Sequence, residues 1–431
     1  MLLPSQHRLS PSEYQHLVRR RFMPCLATAT STVQLAAAAG KLLAEQLYAR
    51  ENSPAFANSQ MDGYALTAAA AQRRNRTFRV GPDVAAGTNV QGFEPNEDIA
   101  LPIMTGAPLP PGYDCVIPEE RALTLTGEPA HFQPEDAQVV LPKADIGQFV
   151  RYPGEDLAEG ELLADVGARL SPALLGVLAS QGITEVLCYT PKVLVLTGGD
   201  EVSSNTELQP GQLRDANGPM LEALLAEDGA TSKRAQISDD PDELLQILDR
   251  EIADYAPHLV VSSGGISHGK FEVVKNASVL LAGQKSSTRA LHVAESWFGH
   301  VTQQPGGPQG VIILEGPAGR IPWMGFPGNP VSTLVTYMTV LRPVLAGEKT
   351  VPHVATLMSD EPVRGPEGKT QYRRARLLEN GTEQQIILDP LTGSHLLHHA
   401  AQANALAVIE PGIEYRAGDV VRWYPLNFQR R

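Results

Sequence analysis

Three cysteines in 431 residues, Cys25, Cys115 and Cys188, stand far apart and form no Cys-x-x-Cys pair. That scarcity argues against a disulfide framework and against a structural zinc site. No stretch approaches the apolar length needed to cross a bilayer, and residues 1–24 are polar and basic without the apolar centre of a signal peptide. A cytoplasmic protein is expected. Positive charge is also short: 35 Lys and Arg face 48 Asp and Glu, a formal net charge of −13. That balance argues against a general nucleic-acid or anionic-membrane surface, so an anionic substrate needs local basic groups or a divalent metal. Gly-x-Ser-x-Gly is absent, no cysteine has an obvious activating partner, and no glycine loop ends in the Gly-Lys-Ser/Thr of a P-loop. Fixed-period repeats and low-complexity tracts are missing too.

Glycine and proline, in contrast, are plentiful, at 38 and 34 residues. With this length they point to about two to four small domains rich in turns. Residues 10–50 read as helical, with 33–49 rich in Ala, Leu, Lys and Glu. From about residue 61 to 148, short apolar runs at 78–80, 99–103 and 138–141 alternate with Pro and Gly, the pattern of a β-rich domain. From Pro191 onward, apolar strand-like runs at 193–196, around 235–238, and at 259–261, 311–314 and 321–326 alternate with helical stretches at 220–227, 241–255, 271–281 and 331–345. That alternation predicts a mostly parallel sheet with ligands beyond the carboxyl ends of its strands. After Gly347 the runs at 372–378, 385–388, 406–410 and 420–424 predict a small β-barrel or sandwich.

The informative clusters fall at strand ends. The run 259–261 leads into Ser262-Ser263-Gly264-Gly265-Ile266-Ser267-His268-Gly269 and then a helix. This glycine turn lets backbone approach a ligand and offers unpaired N–H groups to an anion, or it is a plain strand–helix connection. Asp200 and Glu201 follow a strand-end Gly-Gly and can hold Mg²⁺ with substrate phosphates, or cap a helix. Asp62 sits in an Asp-Gly turn, Thr105 follows the strand 101–104, and Asp156 lies in Gly154-Glu155-Asp156 after Arg151. Pro327-Gly328-Asn329-Pro330 is a stiff elbow before a helix. His268, His395, His398 and His399 read poorly as a metal site, since adjacent residues do not share a face. Lys369, Arg373, Arg374 and Arg376 read either as an anion contact or as a solvated basic strand face.

Nine segments, in order, resemble the molybdopterin molybdenumtransferases, the bacterial MoeA and gephyrin E-domain family. They are SQMDGYAL (59–66), IMTGAPLPPGYDCVIPEE (103–120), PGEDLAEG (153–160), TGGDEV (197–202), RDANGPML (214–221), SSGGISHGKFEVVK (262–275), QPGGPQG (304–310), GFPGNPVS (325–332) and GSHLLHHAAQANAL (393–406). The resemblance implies an α/β and β multidomain chain, an elongated four-domain subunit. Its parts are residues 1–60 with 148–190 as a linker and dimerisation domain, 61–147 as a β-rich insertion, 191–347 as a MogA/MoaB-like α/β molybdopterin-binding domain, and 348–431 as a C-terminal β-barrel. It implies Mg²⁺-dependent insertion of molybdate into adenylylated molybdopterin with release of AMP. It also implies a homodimer with its active site between subunits, and possible partnership with molybdopterin adenylyltransferase and molybdoenzyme maturation proteins.

The same resemblance carries catalytic roles to Asp62, Thr105, Asp156, Glu201 and Glu272, with Glu201 and Asp62 as metal ligands. Substrate-binding positions are Ser263, Gly264, Gly265, Ser267, Lys275, Asp239, Asp240, Pro327, Gly328, Asn329, Pro330, Lys369 and Ser394. Several residues depart from the family pattern. Lys270 stands where an acid is usual, Glu272 for Asp, Gly307 for Lys, Gly218 for Arg, Lys369 for Arg, and His398 and His399 for small polar residues. These changes remove or relocate positive charge. A second reading follows: a molybdopterin-binding or scaffold protein with weakened chemistry. A lone adenylyltransferase fits less well, given the extra domains.

Overall fold

The computed structural model describes residues 8–199, 201–203, 207–265, 272–283, 290–347, 351–380 and 383–426. The chain divides into two compact units, residues 1–44, 169–171 and 185–431, and residues 45–168 and 172–184.

The larger unit is built on a seven-stranded sheet. Its strands run, in spatial order, Arg8–Leu9, His292–Val301, Pro308–Gly316, Gly319–Phe326, Leu259–Ser263, Lys192–Gly198 and Thr231–Ile237. The last four pair in parallel, as the strand–helix alternation predicts. Along Lys192–Gly198, Val193 and Val195 enter one apolar core and Leu194 and Leu196 the other, so helices cover both faces. The strands His292–Val301, Pro308–Gly316 and Gly319–Phe326 add an antiparallel half. The first of these carries no clean period-two signal, because a bulge between Val293 and Glu295 shifts its side-chain phase.

Helix Pro11–Leu26 starts at a reciprocal cap. Ser10 Oγ accepts the Glu13 N–H, and the Glu13 carboxylate accepts the Ser10 N–H at 2.7 Å. Tyr14, Leu17, Val18 and Phe22 form its buried stripe. The helix expected over residues 33–49 does not form. Thr30–Gln34 is instead a strand paired with Glu185–Tyr189, Gly40 is left-handed (φ 74°), and Leu42 and Leu43 bridge to Arg169 and Cys188. Helix propensity differs by only tenths of a kcal/mol per residue among ordinary residues, whereas burying a leucine such as Leu43 yields about 1.5–3 kcal/mol. Tertiary pairing wins.

The helical run after the proline elbow is continuous but uneven. Pro330–Thr336 is α, Tyr337–Leu341 is a wider π turn, and Arg342–Leu345 is α again. In the C-terminal region, strands Thr370–Asn380, Glu383–Leu388, His353–Met358, Val420–Pro425 and Ala405–Ile409 follow one another round a sheet whose last member pairs back with the first. This closes a five-stranded barrel around Leu357, Ile386, Ile409 and Trp423.

The smaller unit holds a five-stranded sheet in the order Cys115–Pro118, Gly63–Leu66, Ile99–Ile103, Thr77–Val80, Gln138–Val140. Gly63–Leu66 is buried throughout. The Ile117 carbonyl occupies the space that a Cβ on Gly63 would need. The glycine after Asp62 is therefore required by the close approach of the neighbouring strand.

Candidate functional site

A cavity of about 940 Å³ lies within the larger unit, beyond the carboxyl ends of its central parallel strands. One wall is the glycine turn that ends Leu259–Ser263. Gly264 and Gly265 have φ of 100° and 68°, and a Cβ on Gly265 would come within 2.7 Å of Val273. The proline elbow forms the next wall, with Gly328 close enough to Gly264 that its absent Cβ would lie 3.5 Å from that Cα. Three neutral side chains fasten the two turns together. Asn217 Nδ2 donates to Ser263 Oγ (2.8 Å) and to the Gly328 carbonyl (2.7 Å), and Thr333 Oγ1 donates to the Pro327 carbonyl (2.7 Å). Ser263 itself is buried behind the wall, 3.1 Å from Thr333 Oγ1.

A loop from the barrel, with Thr392, Gly393, Ser394 and His395, closes another side. Asn329 Nδ2 donates to Ser394 Oγ (2.9 Å), and the Val331 N–H donates to the Ser394 carbonyl (3.1 Å). The loop is anchored from behind by Arg374, whose side chain is 3% exposed. Arg374 donates from Nε to Asp389 Oδ2 (2.9 Å), from one terminal nitrogen to the Gly393 carbonyl (2.9 Å), and from the other to the Leu391 carbonyl. His399 Nδ1 lies 3.2 Å from the same Asp389 oxygen. Burial alone raises the Asp389 carboxyl pKa. The Leu391 N–H and the Arg374 and His399 groups outweigh that and hold it below the ordinary carboxylate value. The solvated-face reading of the C-terminal basic cluster therefore fails for Arg374, which is a buried clamp, while Arg376 does stand exposed.

Glu201 also faces the cavity. Its carboxylate folds back over Gly199 (φ 121°), and Oε2 lies 2.5 Å from where a Cβ would sit. Val202–Ser203 pairs in parallel with Leu213–Arg214, which leads into Asp215 and the helix Asn217–Glu227. Asp215 Oδ2 accepts the Thr197 hydroxyl (2.7 Å) and faces Arg234 at 3.3 Å, and Oδ1 accepts the Gly218 N–H (2.9 Å). Two glycine positions have neighbours that occupy the missing side chains' space. A Cβ on Gly218 would meet Arg234 at 2.6 Å, and one on Gly307 would meet the His300 ring at 2.4 Å.

Of the expected site residues, Glu201, Gly264, Gly265, Pro327, Gly328, Asn329, Pro330 and Ser394 share this cavity, with Ser263 directly behind. Others lie outside its wall. Asp240 caps the helix Pro241–Tyr255, accepting the Asp242 and Glu243 N–H groups, and Asp239 immediately precedes it. Glu272 and Lys275 pair with each other at 2.7 Å, and Lys369 precedes the strand Thr370–Asn380 half-buried. Ser267, with Asp200, His268 and Lys270, lies outside the described residues.

Asp62, Thr105 and Asp156 belong to the smaller unit. Asp62 Oδ1 accepts both the backbone N–H (2.6 Å) and the hydroxyl (2.8 Å) of Thr105, and these two bonds hold its pKa below the ordinary value. Asp156 is tied elsewhere, its N–H donating to the Ser53 carbonyl at 3.0 Å. The ladder between Asn58–Ser59 and Val150–Arg151 is antiparallel, so the chain segments leading to Asp62 and to Asp156 leave it in opposite directions.

Sequence reasoning did not single out Asp215, Asn217 or Asp389, and did not see Arg374 as a buried clamp. An Asp-x-Asn whose Asn opens the helix Asn217–Glu227 is the one local signal that could have found the first two. Among the described residues, no group of three or more His, Cys, Asp or Glu side chains converges as a metal cage. A metal at this cavity would be held by a carboxylate such as Glu201 together with ligand oxygens, which suits Mg²⁺ better than zinc. No helix among the described residues is long and apolar enough to cross a membrane.

Comparison with known proteins finds three matched regions along the chain. The chain matches the MoeA N-terminal region (domain I and II) over residues 9–182, the probable molybdopterin binding domain over 194–347, and the MoeA C-terminal region (domain IV) over 356–426. It is 33% identical to a Mycobacterium tuberculosis protein named molybdopterin molybdenumtransferase 2, over 97% of this chain and 100% of that one. It is 32% identical to the Haemophilus influenzae molybdopterin molybdenumtransferase, over 93% and 95% of the two chains. The fold matches the crystal structure of a Pyrococcus horikoshii molybdopterin biosynthesis MoeA protein with a TM-score of 0.75, at 24% identity and over 97% and 99% of the chains. On the strength of these full-length relatives, the chain belongs to the molybdopterin molybdenumtransferase (MoeA) family, transferases of molybdenum cofactor biosynthesis.

Proposed function

We propose that this chain inserts molybdate into adenylylated molybdopterin, releasing AMP and yielding molybdenum cofactor. The observation that carries the reading is the single cavity in which the glycine turn, the proline elbow, Glu201 and the barrel loop with Ser394 converge. Close backbone approach at Gly264 and Gly328 suits a flat ring and a phosphate group, and the elbow's fixed prolines keep the wall preorganised. Glu201 would hold Mg²⁺ from the protein side, and Asp62, kept ionised by Thr105, is the other candidate ligand. The ion would screen the repulsion between the phosphoanhydride and the molybdate dianion. Thr105, Asp156 and Glu272 enter the same reaction as residues that hold or orient polar groups. Asp239, Asp240, Ser267, Lys275 and Lys369 enter as substrate contacts carried by motif. A homodimer whose two subunits complete the site belongs to the same reading, as does hand-over from an adenylyltransferase.

The test is to incubate the full chain with adenylylated molybdopterin, Mg²⁺ and molybdate and to follow AMP. Molybdate-dependent AMP release is expected. Its absence beside a working control enzyme rejects the reading. Pterin binding without turnover would favour a binding or scaffold protein, a reading motivated by the glycines at 218 and 307.

A further inference from the structure

We infer that Asp228 is a positioning residue for the cavity. By taking Tyr337 and Arg342 together across the π turn, it fixes the helix Asn217–Glu227 against the helical run 330–345. Through that helix it sets Asn217 against the proline elbow. The effect on molybdopterin rests on the proposed function; the effect on the elbow does not.

The cause of the π turn lies in Pro343. Proline has no N–H, and inside a helix its ring crowds the carbonyl four residues back. Here that carbonyl belongs to Thr339, in the middle of the π turn Tyr337–Leu341. It is taken from outside instead, by Gln15 Nε2 of the helix Pro11–Leu26 at 2.9 Å. The wider turn gives the ring room and changes the phase of the helix. In unbroken α geometry Arg342 would stand about 140° round the axis from Tyr337. A turn closed from i to i+5 brings the two onto one face. Both then reach the same oxygen: Tyr337 Oη donates to Asp228 Oδ2 at 2.6 Å, and Arg342 Nε donates to it at 2.9 Å. Arg342 Nη2 also donates to Glu227 at 3.1 Å.

Both helices lead from this cluster to the cavity. Asp228 is the C-terminal cap of the helix that Asn217 opens, about 16 Å away. Asn217 is the side chain that joins Ser263 to the Gly328 carbonyl. The run 330–345 opens at Pro330 on the cavity wall, and Thr333 holds the Pro327 carbonyl. Thr336, just before the π turn, accepts Gln309 Nε2 at 2.9 Å, which also donates to the Gly306 carbonyl on the wall at 2.8 Å. Between their ends the helices share one apolar core through Leu221, Leu225, Val335 and Tyr337. Apolar packing tolerates small slides and loses uniqueness before it loses stability. The Asp228 cluster at one end and Asn217 at the other fix a single register.

Stability alone accounts poorly for the cluster. An acid at a helix C-terminus opposes the helix dipole. A buried ion pair adds little net stability, because desolvation offsets the attraction. Yet the Asp228 and Arg342 side chains are only 11% and 9% exposed. Setting a register is the best-attested use of such buried polar groups. The role is geometric: an uncharged carboxyl or amide at 228 still offers an oxygen to both donors, and Glu227 keeps Arg342 paired.

The test compares three full-length proteins: wild type, Asp228→Asn, and a triple variant carrying Asp228→Leu, Tyr337→Phe and Arg342→Met. Each is made with and without Asn217→Ala. Thermal unfolding, amide exchange over 327–332 and equilibrium binding of molybdopterin are measured. The triple variant removes the polar groups together, so it should fold with unfolding near that of wild type. Its exchange over 327–332 should quicken about tenfold. Its molybdopterin dissociation constant should rise by a similar factor, as expected if the competent register falls to about a tenth of the population. Asp228→Asn keeps the acceptor and should hold both quantities near wild type. With Asn217→Ala present, the triple variant should add little, because the link through which it acts is already cut; a merely structural role would add in full. Unchanged exchange over 327–332 in the triple variant, or full additivity with Asn217→Ala, would overturn the inference. If the triple variant does not fold, Tyr337→Phe alone, which removes one donor, decides by the same comparison. A wild type that binds no molybdopterin removes the proposed function, and the exchange comparison still decides the positioning.

Discussion

Two parts of the cavity wall are held in place by opposite chemistry. The glycine turn and proline elbow are joined by neutral hydrogen bonds from Asn217, Ser263 and Thr333. The barrel loop is held by a charged cluster, Arg374 on Asp389 with His399 alongside. Neutral bonds at the end of a buried sheet are indifferent to pH and salt. A buried ion pair depends on every partner being present, because one charge left alone is costly to bury. The contrast assigns a division of labour: a rigid floor formed by the α/β sheet, and a side wall whose position depends on electrostatics.

The largest effect should follow from breaking the charged side. Arg374→Ala strands the Asp389 carboxylate and frees the Leu391 and Gly393 carbonyls, at about 3–5 kcal/mol of stability. Amide exchange over residues 391–395 should accelerate far more than over 327–332. Equal acceleration in both segments would erase the distinction. Acid sharpens the comparison further. The Asp389 pKa is lower folded than unfolded, so its stabilising contribution is fully present above about pH 4 and is lost as pH falls through the folded value. Titration followed by exchange should loosen the barrel loop first and leave the elbow unchanged. A smaller effect is expected on the neutral side. Asn217→Ala removes two donors and should cost about 1–3 kcal/mol, without altering the acid response of the loop. A calorimetric series over pH measures both quantities.

Much of this was legible in residues with strong local constraints. Gly264, Gly265, Gly328, Pro327 and Pro330 restrict the backbone wherever they occur, and the structure places them round one cavity. The strands flanking them, Leu259–Ser263 and Gly319–Phe326, contain the apolar runs 259–261 and 321–326 by which they declare themselves. What stayed hidden depended on partners distant in sequence. Residues 33–49 read as helix from composition, but Thr30–Gln34 pairs with a strand more than 150 positions away. Arg374 looked like one of several surface cations, because nothing local shows that Asp389 and two carbonyls converge on it. Glycines 218 and 307 read as lost charge, whereas Arg234 and His300 stand in the spaces they leave. Asp240, given as a substrate contact only by the resemblance, caps the helix Pro241–Tyr255, a role that its position before Pro241 favours.

Hydrogen exchange of the full chain with and without molybdopterin tests the central claim most directly. The account predicts that slowed exchange is concentrated in segments 213–217, 264–265, 327–332 and 391–395, the backbone that surrounds the cavity. Bound molybdopterin with no protection in those segments, and protection elsewhere, would contradict it.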